Sequence, residues 1–212
     1  MIQTGTVVTV LAIVGCYLVG GVPVGILIAR SRGVDLRKVG SGNIGATNLF
    51  RALGAKYGLL GFGLDTLKGF APVMAAGAAL HLEGWALGAA GLVTVVGHCY
   101  SPYLRFAGGK GVATSLGIAL ALYWPAGAFP FALWIAITAI TRYVSLGSVI
   151  ALTSAVVLAS ALGAPGPLVA AMGCATILCV ARHVENLERL LKGTESRFGS
   201  RKPGPTEGGG TP

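Results

Sequence analysis

Charged residues are scarce in this sequence, and that shortage excludes a large class of proteins. Only 11% of the 212 residues are Asp, Glu, Lys or Arg, whereas 54% are apolar. A soluble domain has about a quarter of its residues charged, so a soluble globular fold is excluded. The composition predicts an all-α integral membrane protein with no room for a separate soluble domain.

Metal-binding and disulfide patterns are also missing. The seven Asp and Glu residues form no cluster near the basic segments, so we expect no metal site. No CxxC spacing occurs, and the cysteines lie in apolar stretches, which is typical of small buried packing residues. These cysteines are Cys16, Cys99, Cys174 and Cys179.

Seven apolar runs predict transmembrane spans. The first has no basic region before it and continues to about Ala29, which is too long for a cleaved signal peptide. The predicted spans are 7–29, 57–80, 85–104, 112–124, 126–141, 146–162 and 167–181. Crossing about 30 Å takes about 20 residues, so the short fourth and fifth runs are either two spans or a re-entrant pair. The helix count is therefore five or seven.

Basic residues predict how the chain is oriented. All 16 Lys and Arg residues except Lys68 lie in segments that alternate spans place on one side. The positive-inside rule therefore puts the N-terminus outside and the C-terminus in the cytoplasm. We expect one membrane domain, 1–197, with cytoplasmic motif loops at 31–56, 105–111 and 182–197. The tail 198–212, rich in Pro, Gly and Thr, is predicted to be disordered.

One ionisable pair falls inside a predicted span. Lys68 follows Asp65 by three residues and shares its helical face, so an ion pair would lower the cost of burying both charges. The pair marks either a functional site or a polar helix interface, and the sequence does not decide between them.

The first motif loop contains SGNIGATNLFRALG, residues 41–54. Its glycines permit positive φ angles or close approach to a ligand. Its hydroxyl and amide side chains offer neutral hydrogen bonds, and Arg51 is a bidentate phosphate donor. The loop is either a phosphate or polyol site, or a polar turn before a helix capped by Thr47 or Asn48.

The second motif loop contains Gly108, Gly109, Lys110 and Gly111, followed by a predicted helix from Val112. It is not a Walker A loop, because no Ser or Thr follows the lysine. Backbone N–H groups, a helix N-terminus and a lysine nonetheless favour an anion site.

The third motif, RHVENLERLLKGTESRFG, begins at the end of the last span. On a continuing helix, His183, Asn186 and Arg189 would share one face. The alternative is an amphipathic interfacial helix. His98, near the cytoplasmic end of the third span, is either a buried helix residue or a catalytic one, and His81 on the opposite side is given no role.

Together these stretches resemble the PlsY family of bacterial glycerol-3-phosphate acyltransferases, from the first span to about Glu195. The resemblance rests on Ser41-Gly42-Asn43, Thr47-Asn48, Arg51, Gly54, Asp65, Lys68-Gly69, Gly97-His98, Gly108 to Thr114, His183, Asn186, Arg189-Leu190, Gly193 and Glu195. One difference is Ser101, followed by Pro102, at a position where the family usually has Pro.

The resemblance implies transfer of an acyl group from acyl phosphate, not acyl-CoA or acyl carrier protein, to the sn-1 hydroxyl of sn-glycerol 3-phosphate. The products would be lysophosphatidic acid and phosphate, in the first step of phospholipid synthesis. It also implies seven helices in the bacterial inner membrane, with the active site facing the cytoplasm. The expected partners are the two substrates and the lipid bilayer, with no cofactor and no nucleic acid. The oligomeric state is not indicated.

Residue roles follow from these substrates as hypotheses. Acyl phosphate has a good leaving group, so catalysis consists mainly of positioning and neutralising two phosphates. We expect one phosphate to be held by Lys110 with Gly108, Gly109 and Gly111, and the other by Arg51 with Thr47 and Asn48. Ser41 and Asn43 would orient the reacting groups, and His183 and Asn186 would form hydrogen bonds in the catalytic site. Thr114 and Arg189 would contact substrate, and the supporting residues would be Asp65, Lys68, His98 and Glu195.

The hydroxyl proton leaves either to His183 or to a phosphate oxygen of the donor, and we favour the second. A covalent acyl-Ser41 is an alternative, although no neighbouring base marks Ser41 as an activated nucleophile.

The rival class of function is a transporter or channel for a phosphorylated metabolite, but the halves of the chain show no internal repeat. A membrane scaffold would leave the Gly-Lys loop without a purpose.

Overall fold

The computed structural model describes residues 2–199, with side chains from residue 5 onward, and these residues form helices and loops without strands. The helices are α1 Ile2–Gly21, α2 Val24–Arg30, α3 Ala46–Leu53, α4 Ala55–Leu80, α5 Gly84–Cys99, α6 Val112–Leu122, α7 Trp124–Thr141, α8 Val144–Ala161, α9 Gly166–Ala181 and α10 Val184–Leu191. A short 3₁₀ turn follows α5 at Pro102–Leu104.

The predicted first span is two helices, α1 and α2. Pro23 separates them because proline has no backbone N–H and cannot continue the helical hydrogen bonds. Two side chains from elsewhere satisfy carbonyls at this break: Ser101 Oγ donates to Gly21 O at 2.6 Å, and Lys68 Nζ donates to Val22 O at 2.8 Å. Ser101, the residue that differs from the family pattern, therefore joins α5 to the break.

Small residues let the helices approach closely. A side chain at Gly97 would overlap the backbone of Tyr17, and one at Gly69 would overlap the backbone of Thr114. These contacts bring α5 against α1 and α4 against α6. The largest buried apolar cluster lies between α5, α6, α8 and α9 and includes Val95, Ile118, Leu152 and Met172.

Within residues 2–199, length and apolar composition alone identify three helical segments that can cross a membrane. They are Gly5–Arg30, Trp124–Thr141 and Val144–Ala161, and a fourth is counted if α9 and α10 form one bent span. The other apolar helices are short or contain charge: α6 has 11 residues, α5 and α9 have 16 each, and α4 contains Asp65 and Lys68.

Candidate active site

The loop before α3 is organised by Asn48. This side chain is only 2% exposed. Its amide nitrogen donates to the carbonyls of Leu36, Val39 and Asn43 at 2.9–3.0 Å, and its amide oxygen accepts the N–H of Ser41 at 3.0 Å. The Asn48 donors are thus used inside the loop. Asn48 holds Ser41 and Asn43 in place, and direct contact with phosphate does not fit this geometry.

The polar groups around Asn48 remain open to solvent. Ser41 and Arg51 are exposed, and Asn43 and Thr47 are half-buried. Gly45, not Thr47 or Asn48, is the residue that precedes α3, so the capping alternative is wrong. The loop and α3 therefore present two hydroxyls, an amide and a guanidinium to solvent around a buried Asn48.

The Gly-Lys loop packs tightly on the end of α5. The N–H of Gly109 donates to the carbonyl of His98 at 3.1 Å, so this amide is not free for the predicted anion cradle. Arg182 donates to the carbonyls of Gly108 at 3.0 Å and Gly109 at 3.2 Å. Gly111 has φ +83°, which favours glycine, and α6 starts directly after it. The three glycines thus have packing and conformational reasons to be there.

Lys110 joins the second motif to the third. Its Nζ donates to Oδ1 of Asn186. Burial, reinforced by the cation Arg189, lowers the pKa of Lys110 to about 8, although Glu195 opposes this shift. The lysine is therefore half-protonated near pH 8 and charged at neutral pH.

Glu195 is the hub of the third motif. Its carboxylate accepts hydrogen bonds from Asn186 Nδ2 at 2.6 Å, Arg189 Nε at 2.7 Å and Ser145 Oγ at 2.8 Å. Burial raises the pKa of Glu195, but these three bonds outweigh burial and hold the pKa below its usual value. Ser145, at the start of α8, was missed by the sequence analysis because it belongs to no motif.

His183 lies at a bend and not on a continuing helix. The axes of α9 and α10 differ by 57°, and His183 immediately precedes α10. The side chain is 3% exposed, and Nδ1 lies 2.7 Å from the carbonyl oxygen of Cys179. Burial lowers the pKa of His183 to about 4, although this hydrogen bond opposes the shift. His183 is therefore neutral at physiological pH, with the proton on Nδ1 and a lone pair on Nε2.

The segment 194–199, which we name the C-terminal strap, crosses back over the motifs. The carbonyl of Ser196 lies 3.5 Å from a guanidinium nitrogen of Arg51. The Phe198 ring is 4.7 Å from the Phe50 ring, and Phe198 N–H donates to the Arg142 carbonyl at 2.6 Å. Phe198 is thus packed, although the predicted tail began there. The rest of that tail, 200–212, lies outside the described residues.

A buried polar network lies beneath the Gly-Lys loop. Lys68 Nζ and Asp65 Oδ1 form the expected ion pair at 2.8 Å, with both side chains under 9% exposed. His98 Nδ1 lies 3.8 Å from Asp65 Oδ1 and 3.0 Å from Thr114 Oγ1. Thr114 is fully buried. The Thr114 hydroxyl is therefore hydrogen-bonded to His98 inside the protein. A direct contact of Thr114 with substrate, which the sequence predicts, does not fit this geometry.

An apolar cavity of about 40 Å³ lies between α4, α6, α7 and α8. Its lining starts at Val112, two residues after Lys110. Phe62, Phe131 and Trp134 also line it, with ring centroids 5.7–5.9 Å apart. The cavity is therefore lined by helix residues alone, and Val112 is its lining residue nearest in sequence to Lys110. Within residues 2–199, no group of three or more His, Cys, Asp or Glu side chains is arranged to hold a metal ion.

Comparisons with known proteins agree with this arrangement. The family model for glycerol-3-phosphate acyltransferase matches residues 10–193. The glycerol-3-phosphate acyltransferase of Aquifex aeolicus is 45% identical over 186 residues, covering 88% of this chain and 97% of that protein. The enzyme of that name from Thermus thermophilus is 49% identical over 185 residues, covering 87% of this chain and 92% of its own length.

Two crystal structures have a closely similar fold. Both are of PlsY (YgiH), described as an integral membrane glycerol 3-phosphate acyltransferase. The glycerol 3-phosphate form has a TM-score of 0.87 and 44% identity, covering 90% of this chain and 96% of that chain. The lysophosphatidic acid form has a TM-score of 0.85 and 42% identity, covering 90% and 95%. The all-helical fold is therefore that of an integral membrane protein, and the chain belongs to the glycerol-3-phosphate acyltransferase family.

Proposed function

We propose that this protein transfers an acyl group from acyl phosphate to the sn-1 hydroxyl of sn-glycerol 3-phosphate, forming lysophosphatidic acid and phosphate in the first step of phospholipid synthesis. The observation that carries the proposal is the convergence of three distant motifs. Arg51 reaches the strap at Ser196, Lys110 bonds Asn186, and Asn186 bonds Glu195. Cations from separate parts of the chain thus meet where two phosphates need to be neutralised.

The two phosphates are assigned to the two cations. Lys110 holds one phosphate, and Arg51 with Thr47 holds the other, because these groups remain charged or polar and accessible. Ser41 and Asn43 orient the reacting hydroxyl and carbonyl. Either cation can bind the phosphate of glycerol 3-phosphate, and the other then binds the phosphate of the acyl donor. The KM of each substrate, measured in the variants described below, distinguishes these two arrangements.

The reaction needs no protein base. The glycerol hydroxyl oxygen attacks the acyl carbonyl carbon, the carbon–oxygen bond to phosphate breaks, and the hydroxyl proton passes to an oxygen of the departing phosphate. His183 is a weak base because its pKa is about 4. We therefore assign His183 and Asn186 to hydrogen bonding with substrate, and Arg189 with Glu195 to holding Asn186.

The acyl chain of the donor is apolar and needs an apolar environment. We assign only the first carbons of the acyl tail to the apolar cavity, because its volume of about 40 Å³ is too small for a whole chain. The rest of the tail would lie along the apolar helices in lipid. The basic loops support a seven-span arrangement in the bacterial inner membrane, with the N-terminus outside and the active site facing the cytoplasm.

Purified protein in lipid or detergent tests the proposal directly. Incubation with glycerol 3-phosphate and acyl phosphate should release phosphate and lysophosphatidic acid in equal amounts. Acyl-CoA in place of acyl phosphate should give no product. Product formation from acyl-CoA alone, or none from either donor with folded protein, would contradict the proposed donor.

A further inference from the structure

His98 contacts the Gly-Lys loop at two points, one on each side of Lys110. Before the lysine, the carbonyl of His98 accepts the N–H of Gly109 at 3.1 Å. After the lysine, its ring nitrogen Nδ1 lies 3.0 Å from the hydroxyl of Thr114. His98 and Thr114 are 5% and 0% exposed, so water does not compete for either hydrogen bond.

The ring of His98 also fixes the position of the loop backbone. A methyl group on Gly109 would overlap Nε2 of this ring, and one on Gly108 would overlap the His98 carbonyl. The backbone on the N-terminal side of Lys110 therefore rests directly on His98. On the other side, Thr114 lies in the first turn of α6, so its bond to His98 ties the helix start to the same residue.

A buried ion pair supports His98 from below. Asp65 Oδ1 is 3.8 Å from His98 Nδ1 and 2.8 Å from Lys68 Nζ. Lys68 in turn donates to the carbonyl of Val22 at the break between α1 and α2. Lys68 therefore links the ion pair to the break between α1 and α2 by a hydrogen bond, whereas Asp65 and His98 are neighbours at 3.8 Å without a hydrogen bond.

We propose that His98 and Thr114 are positioning residues that clamp the loop on both sides of Lys110 and so set where its ammonium group meets a substrate phosphate. This inference rests on the proposed function, since it gives Lys110 a phosphate to bind. It assigns the Thr114 hydroxyl a role through Lys110 and not through substrate contact.

Thr114→Val tests the clamp because it removes the hydroxyl and keeps the shape. The KM for the substrate whose binding depends on Lys110 should rise about tenfold, with kcat changed less than about threefold, as expected for loss of one buried hydrogen bond. That substrate is identified as the one whose KM rises in Lys110→Arg. Thr114→Ser should restore most of the lost affinity, and His98→Asn should keep more activity than His98→Leu.

Thr94→Val is the matched control. Thr94 is equally buried, lies on α5 with His98, and donates its hydroxyl to Ala90 at 2.7 Å without touching the loop. It should leave both KM values within about twofold of wild type, at a similar melting temperature to Thr114→Val. Unchanged KM in Thr114→Val, or equal losses in the two valine variants, would overturn the clamp. Full activity of Lys110→Ala would instead refute the role of Lys110 in the proposed function.

Discussion

Arg51 and Lys110 belong to segments that are stabilised in opposite ways. The loop before α3 is held by its own Asn48, whose partners lie within 12 residues of it in sequence. The Gly-Lys loop is held from outside, by His98 and by Arg182 and Asn186, which come 73–76 residues after their partners. The loop before α3 is therefore held by local hydrogen bonds, although Arg51 itself also contacts Ser196 of the strap. The position of Lys110 instead depends on how distant segments pack around its loop.

The largest effect is expected for the externally held cation. Lys110→Ala should lower kcat/KM by at least about 10³-fold, because a half-buried cation facing a phosphate contributes several kcal/mol in the transition state. Phosphate release by purified variants measures this. The control is Lys192→Ala, which removes an exposed lysine after α10. A loss of less than tenfold in Lys110→Ala would show that Arg51 alone neutralises both phosphates.

Asn48→Leu breaks the locally held loop. Activity should fall about 100-fold, because backbone groups buried around Asn48 lose their partners at roughly 1–3 kcal/mol each. Arg182→Met is the companion variant for the other loop. Steady-state kinetics should show that the two variants raise KM for different substrates. If both raise the same KM, the loops do not bind separate phosphates.

His183→Ala should cost about 30-fold and leave measurable turnover. The reason is that loss of a general base typically costs 10²–10⁴-fold, whereas loss of an orienting hydrogen bond costs less. Single-turnover phosphate release with saturating substrates measures the remaining rate. Complete loss of turnover with glycerol 3-phosphate still bound would make His183 the base.

The pH dependence of kcat/KM distinguishes the contribution of Lys110 from that of Arg51. Because the pKa of Lys110 is about 8, its charged fraction falls as the pH rises through 8, and kcat/KM should fall about fivefold between pH 8 and 9. Lys110→Arg should have low but pH-independent kcat/KM over this interval, since arginine stays charged. An alkaline decline at the same pH in Lys110→Arg would assign it to another group.

Phe198→Ala should have the smallest effect, about threefold. It removes the ring contact with Phe50 that ties the strap to α3, and such a contact contributes about 0.5–1.5 kcal/mol. The KM raised by Asn48→Leu should be the one that rises. The matched control is Phe129→Ala, on an exposed part of α7, and equal effects in the two variants would rule out a role for the strap.

The sequence was a good guide to the helices because long apolar runs have few other ways to satisfy their backbone in lipid. It did not reveal where they break. The bend at His183 is held by a carbonyl of α9 itself, that of Cys179. The break at Pro23 depends on partners from distant parts of the chain, namely Lys68 and Ser101. No pattern within one run records such partners.

The motif residues were found from the sequence, but the direction of each side chain was not. Asn48 and Thr114 have the right chemistry for phosphate, yet their hydrogen bonds are directed into the protein. An amide or hydroxyl serves a loop carbonyl as well as a ligand, so residue type alone does not distinguish the two. Ser145 was missed for the converse reason, because a single serine at the start of an apolar helix carries no signal.

The break between α1 and α2 explains why a lysine and an aspartate are buried on α4. Inside hydrocarbon no water replaces the lost helical hydrogen bonds, so the carbonyls of Gly21 and Val22 need donors from other helices. Lys68 and Ser101 are those donors, and Asp65 balances the charge of the buried Lys68 side chain. Straightening the helix at Pro23 would remove that demand, and a neutral residue at position 68 would then become tolerable.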